Sequence, residues 1–503
     1  MGNIVGRIRR ILCVAEGAAR RDDLRLARAD TATVRPRHPL VGAALVATML
    51  AVTLFEWTGR QGFALISAGL LIVALSLLSV RVRWVHRAFL AVGMILAVLA
   101  VATLPDWPDT LHRAFGSAGF IVAYFVALLS LRVAASGSGA IAECGRFMGE
   151  QPPGRRYLAL TVGGQLFGLV IIYGAISLLG TMVQTSVMRE PDPRIRSIRL
   201  RRMLLAIQRG LVSILPWSPV AFTLAVTIPL VPGATWAGVV LPCFVTGMVI
   251  MLVGWFVDTL FERRPGARQG GVGAAAPGWR DWAEKVAPLL MLLAGLGVVS
   301  ACLMAVSDVR FQGIVMVTVP SIALCWVAGQ IIVESGRLDP DSLGRRCMSF
   351  IETDLPEARG EVVLLAMAGF IGTLGSGLLG PVVAEAGLDL SAVPPALLLI
   401  CVFLVVPVTG QIGMNPILAV SLIAPLLPSP DAMGISPVAV VVAITAGWAL
   451  SGATSPYTAS TLLVAYFGKV SATRVGLQWN GLFVAFSMIA LGAWILTVTH
   501  FWT

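Results

Sequence analysis

Two stretches of this chain are apolar enough to lie in a membrane, yet both are interrupted where a membrane helix is normally continuous. They are Val406–Leu427, reading VPVTGQIGMNPILAVSLIAPLL, and Ala443–Tyr466. Thr409, Gly410, Gln411, Gly413, Asn415 and Pro416 split the first, and Ser451-Gly452-Ala453-Thr454-Ser455-Pro456 splits the second. Main-chain groups freed by Gly and Pro at membrane depth meet no water, so such breaks persist only where protein buries them or a wet cavity receives them. Broken segments of this kind mark the binding site of a secondary transporter.

Composition supports the membrane reading. The 503 residues are 57% hydrophobic and 13% charged, with a mean hydropathy of +0.87, as in polytopic membrane proteins. The net charge of +11 resembles a nucleic-acid signal. Arginines gathered in a subset of loops explain it better, through the positive-inside rule, and no nucleic-acid partner is expected. The seven cysteines are scattered without C-x-x-C spacing, so neither a disulfide framework nor a metal site is indicated. Residues 1–38 hold nine arginines and no long apolar run, and read as a basic cytoplasmic extension rather than a signal peptide.

Apolar runs near 39–56, 62–80, 87–104, 115–135, 203–231, 236–260, 287–307, 311–333, 359–384, 436–467 and 474–498 predict eleven spans. Two further runs, 157–184 and 393–427, decide the topology. The first is bounded by Arg146, Arg155 and Arg156 on one side and by Arg189, Arg194, Arg196 and Arg199 on the other. Basic loops at both ends place both ends in the cytoplasm, and the run is too short for two crossings, so a re-entrant hairpin fits. The second run shows the opposite: Glu385 and Asp389 precede it, Asp431 follows, and both ends read as external. There charge alone does not separate a hairpin from two short spans; the Gly/Asn/Pro tip favours the hairpin. The expected architecture is an all-α polytopic membrane protein with eleven transmembrane helices and two opposed re-entrant hairpins. The N-terminus is inside and the C-terminus outside. The sequence divides into an extra helix at 39–61, a first repeat at 62–260, a cytoplasmic linker at 261–283 and a second repeat at 284–503.

A shift of 237 residues (455 − 218) aligns 206–227 with 443–464. Ala206 then meets Ala443, Ile207 meets Ile444, Gly210 meets Gly447, and Ser218-Pro219 meets Ser455-Pro456. Each segment follows its hairpin and precedes the last helix of its half, in opposite directions, which is the mark of an inverted-topology repeat.

This pattern resembles the ion transporter superfamily, most closely the divalent anion/sodium symporter (DASS) architecture. The run ATSPYTASTLLVAYFG (Ala453–Gly468) is similar to that family's unwound helix, and TGQIGMNPILAVSLIAPLL (Thr409–Leu427) occupies the place of its hairpin tip. The first hairpin, Leu166–Thr181, keeps Tyr173, Gly174 and Ser177. The family's Ser-Asn-Thr signature is absent from both tips, with Gln411 and Asn415 as stand-ins at the second. The resemblance implies an elevator-type homodimer in which hairpins and unwound helices meet around carboxylate and sodium.

Residue by residue, Asn415, Gln411, Ser218, Thr458 and Tyr173 are the candidates for solute binding. Thr409, Asn415, Ser451, Thr454 and Ser455 are the candidates for a coupling cation. Hydroxyls, amides and unwound carbonyls supply the oxygens a hard cation needs without a buried carboxylate. The bland alternatives are local: Asn415 as a cap, the hydroxyls back-bonded to a Pro kink, Trp217 as packing. Arg209 reads either as a partner for an anionic solute or, as is commoner, as a side chain snorkelling to the cytoplasmic interface. The Gly-rich run Gly372–Gly377 reads as a site of close helix packing. No His/Glu, Ser/Lys or paired-Asp constellation for intramembrane chemistry is present, which speaks against an enzyme. The function read from the sequence is a secondary transporter of a small anionic solute in a bacterial cytoplasmic membrane, with sodium as coupling ion and no other cofactor. The alternatives are a proton-driven exporter of the same superfamily and a non-autonomous membrane subunit of a binding-protein-dependent system.

Overall fold

A computed structural model describes residues 38–149, 151, 156–188, 190–261, 279–385 and 390–502. The basic extension, apart from His38, and most of the 261–283 linker lie outside the described residues, as do Arg155, Arg189 and Asp389. The described chain is helical, without a strand. The long helices are α1 (Pro39–Thr58), α2 (Gln61–Ser79), α3 (Trp84–Thr103) and α4 (Trp107–Ser136). After the first hairpin come α5a (Pro193–Ile214), α5b (Phe222–Leu230), α6 (Trp236–Phe261), α7 (Trp279–Val306), α8 (Phe311–Ser335) and α9 (Arg359–Glu385). After the second come α10a (Pro437–Thr454), α10b (Ala459–Gly468) and α11 (Gly481–Phe501). Among the described residues, 10 helices are long and apolar enough to cross a membrane, with α10a and α10b taken as one. The remaining expected span, 203–231, is the pair α5a and α5b. This is a multi-pass membrane protein.

The two ambiguous runs fold as hairpins of short helices. The first pairs Arg156–Ile171 with Gly174–Val187, and the second pairs Pro395–Gln411 with Pro416–Ile423. Each turns through one left-handed residue: Gly413 at φ 88° in the second, and Ile172 at φ 46° in the first. Glycine takes that conformation without penalty. A β-branched isoleucine does not, so the first tip is strained.

Helices pack in two groups. In one, α1, α2, α3, α8 and α9 surround α4, whose most apolar window is 72% buried. In the other, the hairpins, α6 and α11 surround the two broken helices, and the window over α10a and α10b is 100% buried. Glycine lets main chains touch at the joints. A side chain on Gly372 would overlap Ser421 of the second hairpin's return arm, and one on Gly375 would overlap Leu422. This is close packing through the Gly372–Gly377 run.

The repeat is visible in the backbone. Extended residues Ala221 and Thr458 precede the restarts at Phe222 and Ala459, which are 237 residues apart. A Cβ on Gly210 would overlap the Thr161 carbonyl of the first hairpin, and a Cβ on its mate Gly447 would overlap the Phe403 carbonyl of the second. Each broken helix therefore lies against its own hairpin main chain to main chain. Gly210→Ala and Gly447→Ala should each destabilise by about 1–3 kcal/mol. Gly380→Ala, with nothing within 4 Å of the added methyl, should be neutral or stabilising by up to about 1 kcal/mol. Thermal unfolding of the detergent-purified variants tests this, and equal effects at all three positions would contradict it.

Candidate functional site

Pro456 organises the second break. It has no N–H, so the Gly452 carbonyl four residues earlier loses its helical partner. Hydroxyls replace it: Ser460 Oγ donates closely and Thr461 Oγ1 at 3.5 Å, while Thr458 Oγ1 lies at 3.4 Å and donates to the Ser455 carbonyl at 2.9 Å. The pre-proline residue is driven out of the helical region, and Ser455 is extended at φ −68°, ψ 126°. Its side chain crosses to the hairpin, where Ser455 Oγ donates to the Gly410 carbonyl at 2.6 Å. The break is narrower than the sequence suggests. Ser451 to Thr454 remain helical, because Ser455 N still donates to the Ser451 carbonyl at 3.0 Å.

The hairpin tip is likewise more regular than its composition suggests. Thr409, Gly410 and Gln411 stay in the outgoing helix. The Thr409 hydroxyl donates to the Val405 carbonyl at 2.9 Å, and Gln411 Nε2 donates to the Pro407 carbonyl at 3.2 Å. Asn415 caps the return arm, its Oδ1 accepting from Ile417 N at 2.8 Å. Thr454 Oγ1 donates back to the Leu450 carbonyl at 2.9 Å. A hydroxyl that donates to a carbonyl keeps lone pairs for a further partner. Ser451 differs from all of these. Its Oγ is buried without a hydrogen-bond partner, and it stands where a Gly410 Cβ would have to be.

Of the residues expected at the site, the structure joins Ser451 and Ser455 directly to the second hairpin, with Thr458 behind them. Ser218 is fully buried in the first break and accepts from Val220 N at 3.3 Å. Tyr173 is the half-buried residue that leads into the first hairpin's return arm. Trp217 packs edge-on against Phe244 at 5.1 Å.

The sequence reading missed a buried polar chain that ties the halves together. Gln208 Nε2 donates to Thr461 Oγ1 at 3.2 Å, and Asn480 Nδ2 donates to Gln208 Oε1 at 3.0 Å and to the Ala453 carbonyl at 3.2 Å. Asn480 Oδ1 accepts from Arg209 Nε at 3.4 Å. Arg209 does not snorkel. It is 1% exposed, because Gly254, Asn480 and Phe483 receive it inside the bundle. The available signal was the adjacent polar pair Gln208-Arg209 within an otherwise apolar run, together with Asn480, one of three asparagines in the chain.

With this geometry in hand, solved structures provide a comparison. The fold is similar to that of the YdaH transporter of Alcanivorax borkumensis. That alignment has a TM-score of 0.56 at 19% identity and covers 82% of this chain and 98% of the other. The MtrF protein of Neisseria gonorrhoeae, described as illuminating a class of antimetabolite efflux pumps, aligns with a TM-score of 0.49 at 14% identity, over 83% of this chain and 95% of its own. No protein-family model matches the sequence, and no curated protein does either.

Restoring the missing N–H tests the account of the break. Pro456→Ala should let α10a continue and re-pair the Gly452 carbonyl, raising stability by up to about 3 kcal/mol. A lower melting temperature than the parent would show that the hydroxyl knot outweighs the lost helical bond.

Proposed function

We propose that this chain is a secondary active transporter of a small anionic solute, coupled to sodium and working by elevator-type alternating access as a homodimer in a bacterial cytoplasmic membrane. The observation that carries the reading is the meeting of the second hairpin with the broken helix α10a/α10b. There Gly410, Ser451 and Ser455 bring a carbonyl and two hydroxyls together in an apolar interior. The hydroxyls of Thr409 and Thr454 and the amide of Asn415 lie on the same two elements. Main chain that departs from helix inside a membrane bundle is maintained where it lines a solute or ion path. Similarity to the fold of a solved transporter supports the reading.

A sodium ion in this position would take Ser451 Oγ as its free ligand and draw the hairpin tip onto the break. The solute would then meet a surface completed by the ion. Gln411, Asn415, Thr458, Ser218 and Tyr173 are the side chains proposed for that surface. The charge expectation places the two hairpins on opposite sides of the bilayer, so that one relocating unit exposes the site alternately.

Purified protein in detergent should be thermally stabilised by sodium chloride relative to choline chloride, in a saturable way. Ser451→Ala and Asn415→Ala should each remove most of that effect. In liposomes, uptake of small anions should follow an imposed sodium gradient. Flux that follows a proton gradient alone would select proton-driven export. Absence of flux under either gradient, with rescue by an added soluble binding protein, would select a membrane subunit.

A further inference from the structure

Among the described residues, no carboxylate forms an ion pair with Arg209. The guanidinium lies about four turns into α5a and is 1% exposed. Nη1 donates to the Gly254 carbonyl at 3.4 Å and Nε to Asn480 Oδ1 at 3.4 Å, and the group sits 4.8 Å from the Phe483 ring centroid. Both hydrogen bonds are long and both partners are neutral, as is the neighbouring Tyr157 hydroxyl, which donates to the same Gly254 carbonyl at 3.1 Å. Nη2 is enclosed and donates to nothing. Asp258, one turn along α6 from Gly254, is already held by Arg202 through two bonds, at 2.9 and 2.7 Å. An arginine does not shed its proton, and a buried charge with only dipoles for company is strongly disfavoured.

A second feature lies at the same place, where the π-helical turn Arg474–Trp479 gives way to α11 at Asn480. Helix α11 starts beside the guanidinium, and Asn480, its N-cap residue, makes no side-chain cap. Its amide is spent instead on Gln208, the Ala453 carbonyl and Arg209. The first-turn N–H groups of α11 therefore lack a capping side chain, and Phe483 of that turn lies against the guanidinium. Helix N-termini favour anions. Two positive elements thus converge, and among the described residues no acid pairs with either.

We propose that Arg209 and the first turn of α11 form the seat of an oxyanion, either a carboxylate or an inorganic oxyanion. Resting on the transporter reading above, this oxyanion is the charged end of the solute. The fork of Nη1 and Nη2 matches two oxygens of one acid group once the long bond to Gly254 is given up. In the conformation described here the seat is shut by Phe483 and Gly254. The link from Asn480 to the Ala453 carbonyl connects it to the break in α10, so that filling the seat bears on the hydroxyl knot around Gly452. The repeat mate of Arg209 is Ala446, so the second half carries no matching charge.

The test uses the full chain in detergent, with sodium acetate, sodium sulfate and sodium phosphate compared with sodium chloride at equal sodium concentration, ionic strength being levelled with choline chloride. At least one oxyanion should raise the melting temperature saturably, and for acetate or sulfate, whose charge is constant there, with the same effect from about pH 6 to about pH 9. An acetate response identifies a carboxylate seat, and a sulfate or phosphate response an inorganic one. Arg209→Met should abolish the response and melt above the parent in plain sodium chloride, because it removes an unpaired buried charge. Arg209→Lys, which keeps the charge, should retain the response with affinity about tenfold weaker. Saturable stabilisation that survives in Arg209→Met, or its absence from the parent with all three salts, would overturn the proposal. Should Arg209→Met not fold, the Lys variant decides, since an unaltered affinity there would exclude the forked contact. Liposome flux separates the two layers of the reading. An Arg209-dependent response without flux removes transport and leaves the seat; sodium-driven anion flux with unaltered KM in Arg209→Lys removes the seat and leaves transport.

Discussion

Inside an apolar bundle, every main-chain N–H and C=O must find a partner within the protein. The architecture follows from how this chain meets that demand where its helices stop. At Pro456 one helical hydrogen bond is lost, and the carbonyl it leaves behind, at Gly452, gathers Ser460 and Thr461, with Thr458 beside them. The next carbonyl, Ala453, is taken by Asn480 from α11. The one after, Thr454, lies so close to Gly476 that a side chain there would overlap it. The break is thus closely packed, with the Gly452 and Ala453 acceptors taken by different elements and the Thr454 carbonyl set against Gly476. That dispersal makes the break responsive: motion of the hairpin, of α11 or of α10b each disturbs a different bond.

The repeat applies one solution twice with different emphasis. Gly210 and Gly447 bring each broken helix into main-chain contact with its hairpin, and extended residues at Ala221 and Thr458 restart each helix. The second half adds hydroxyls to the break. The first half adds a charge instead, at Arg209, and a strained tip at Ile172. Such strain persists only where the surroundings hold it, and it commonly marks a moving or binding segment. The asymmetry suits a site in which one half holds an ion and the other holds the opposite charge.

The two halves meet over an extensive, mainly apolar contact that is crossed by a few polar bonds. Gln208 reaches Thr461, Asn480 reaches Gln208, and Gln184 Nε2 donates to the Phe467 carbonyl at 2.9 Å. Each such bond is worth on the order of 1 kcal/mol, so these bonds fix register within a contact that apolar packing maintains. The seat at Arg209 lies within this seam.

Read as a string of residues, the chain shows the helical membrane class, the first hairpin, the breaks in two helices and their repeat relation, and favours the second hairpin. Those features follow from hydropathy, from the conformations open to Gly and Pro, and from the placement of Arg in loops, all of which are local. The sequence did not determine what the polar side chains do, because a hydroxyl or amide in an apolar run bonds whichever acceptor lies nearest in space. Thr409, Gln411 and Asn415 turned to their own backbone, while Ser455 crossed to Gly410 and Asn480 crossed to Ala453. Arg209 shows the limit best. From sequence, snorkelling costs less than burial, and only the arrival of Gly254, Asn480 and Phe483 from distant positions encloses the charge. Where a charge lies in a membrane protein is decided by which helices pack around it, and that is a property of the assembled bundle.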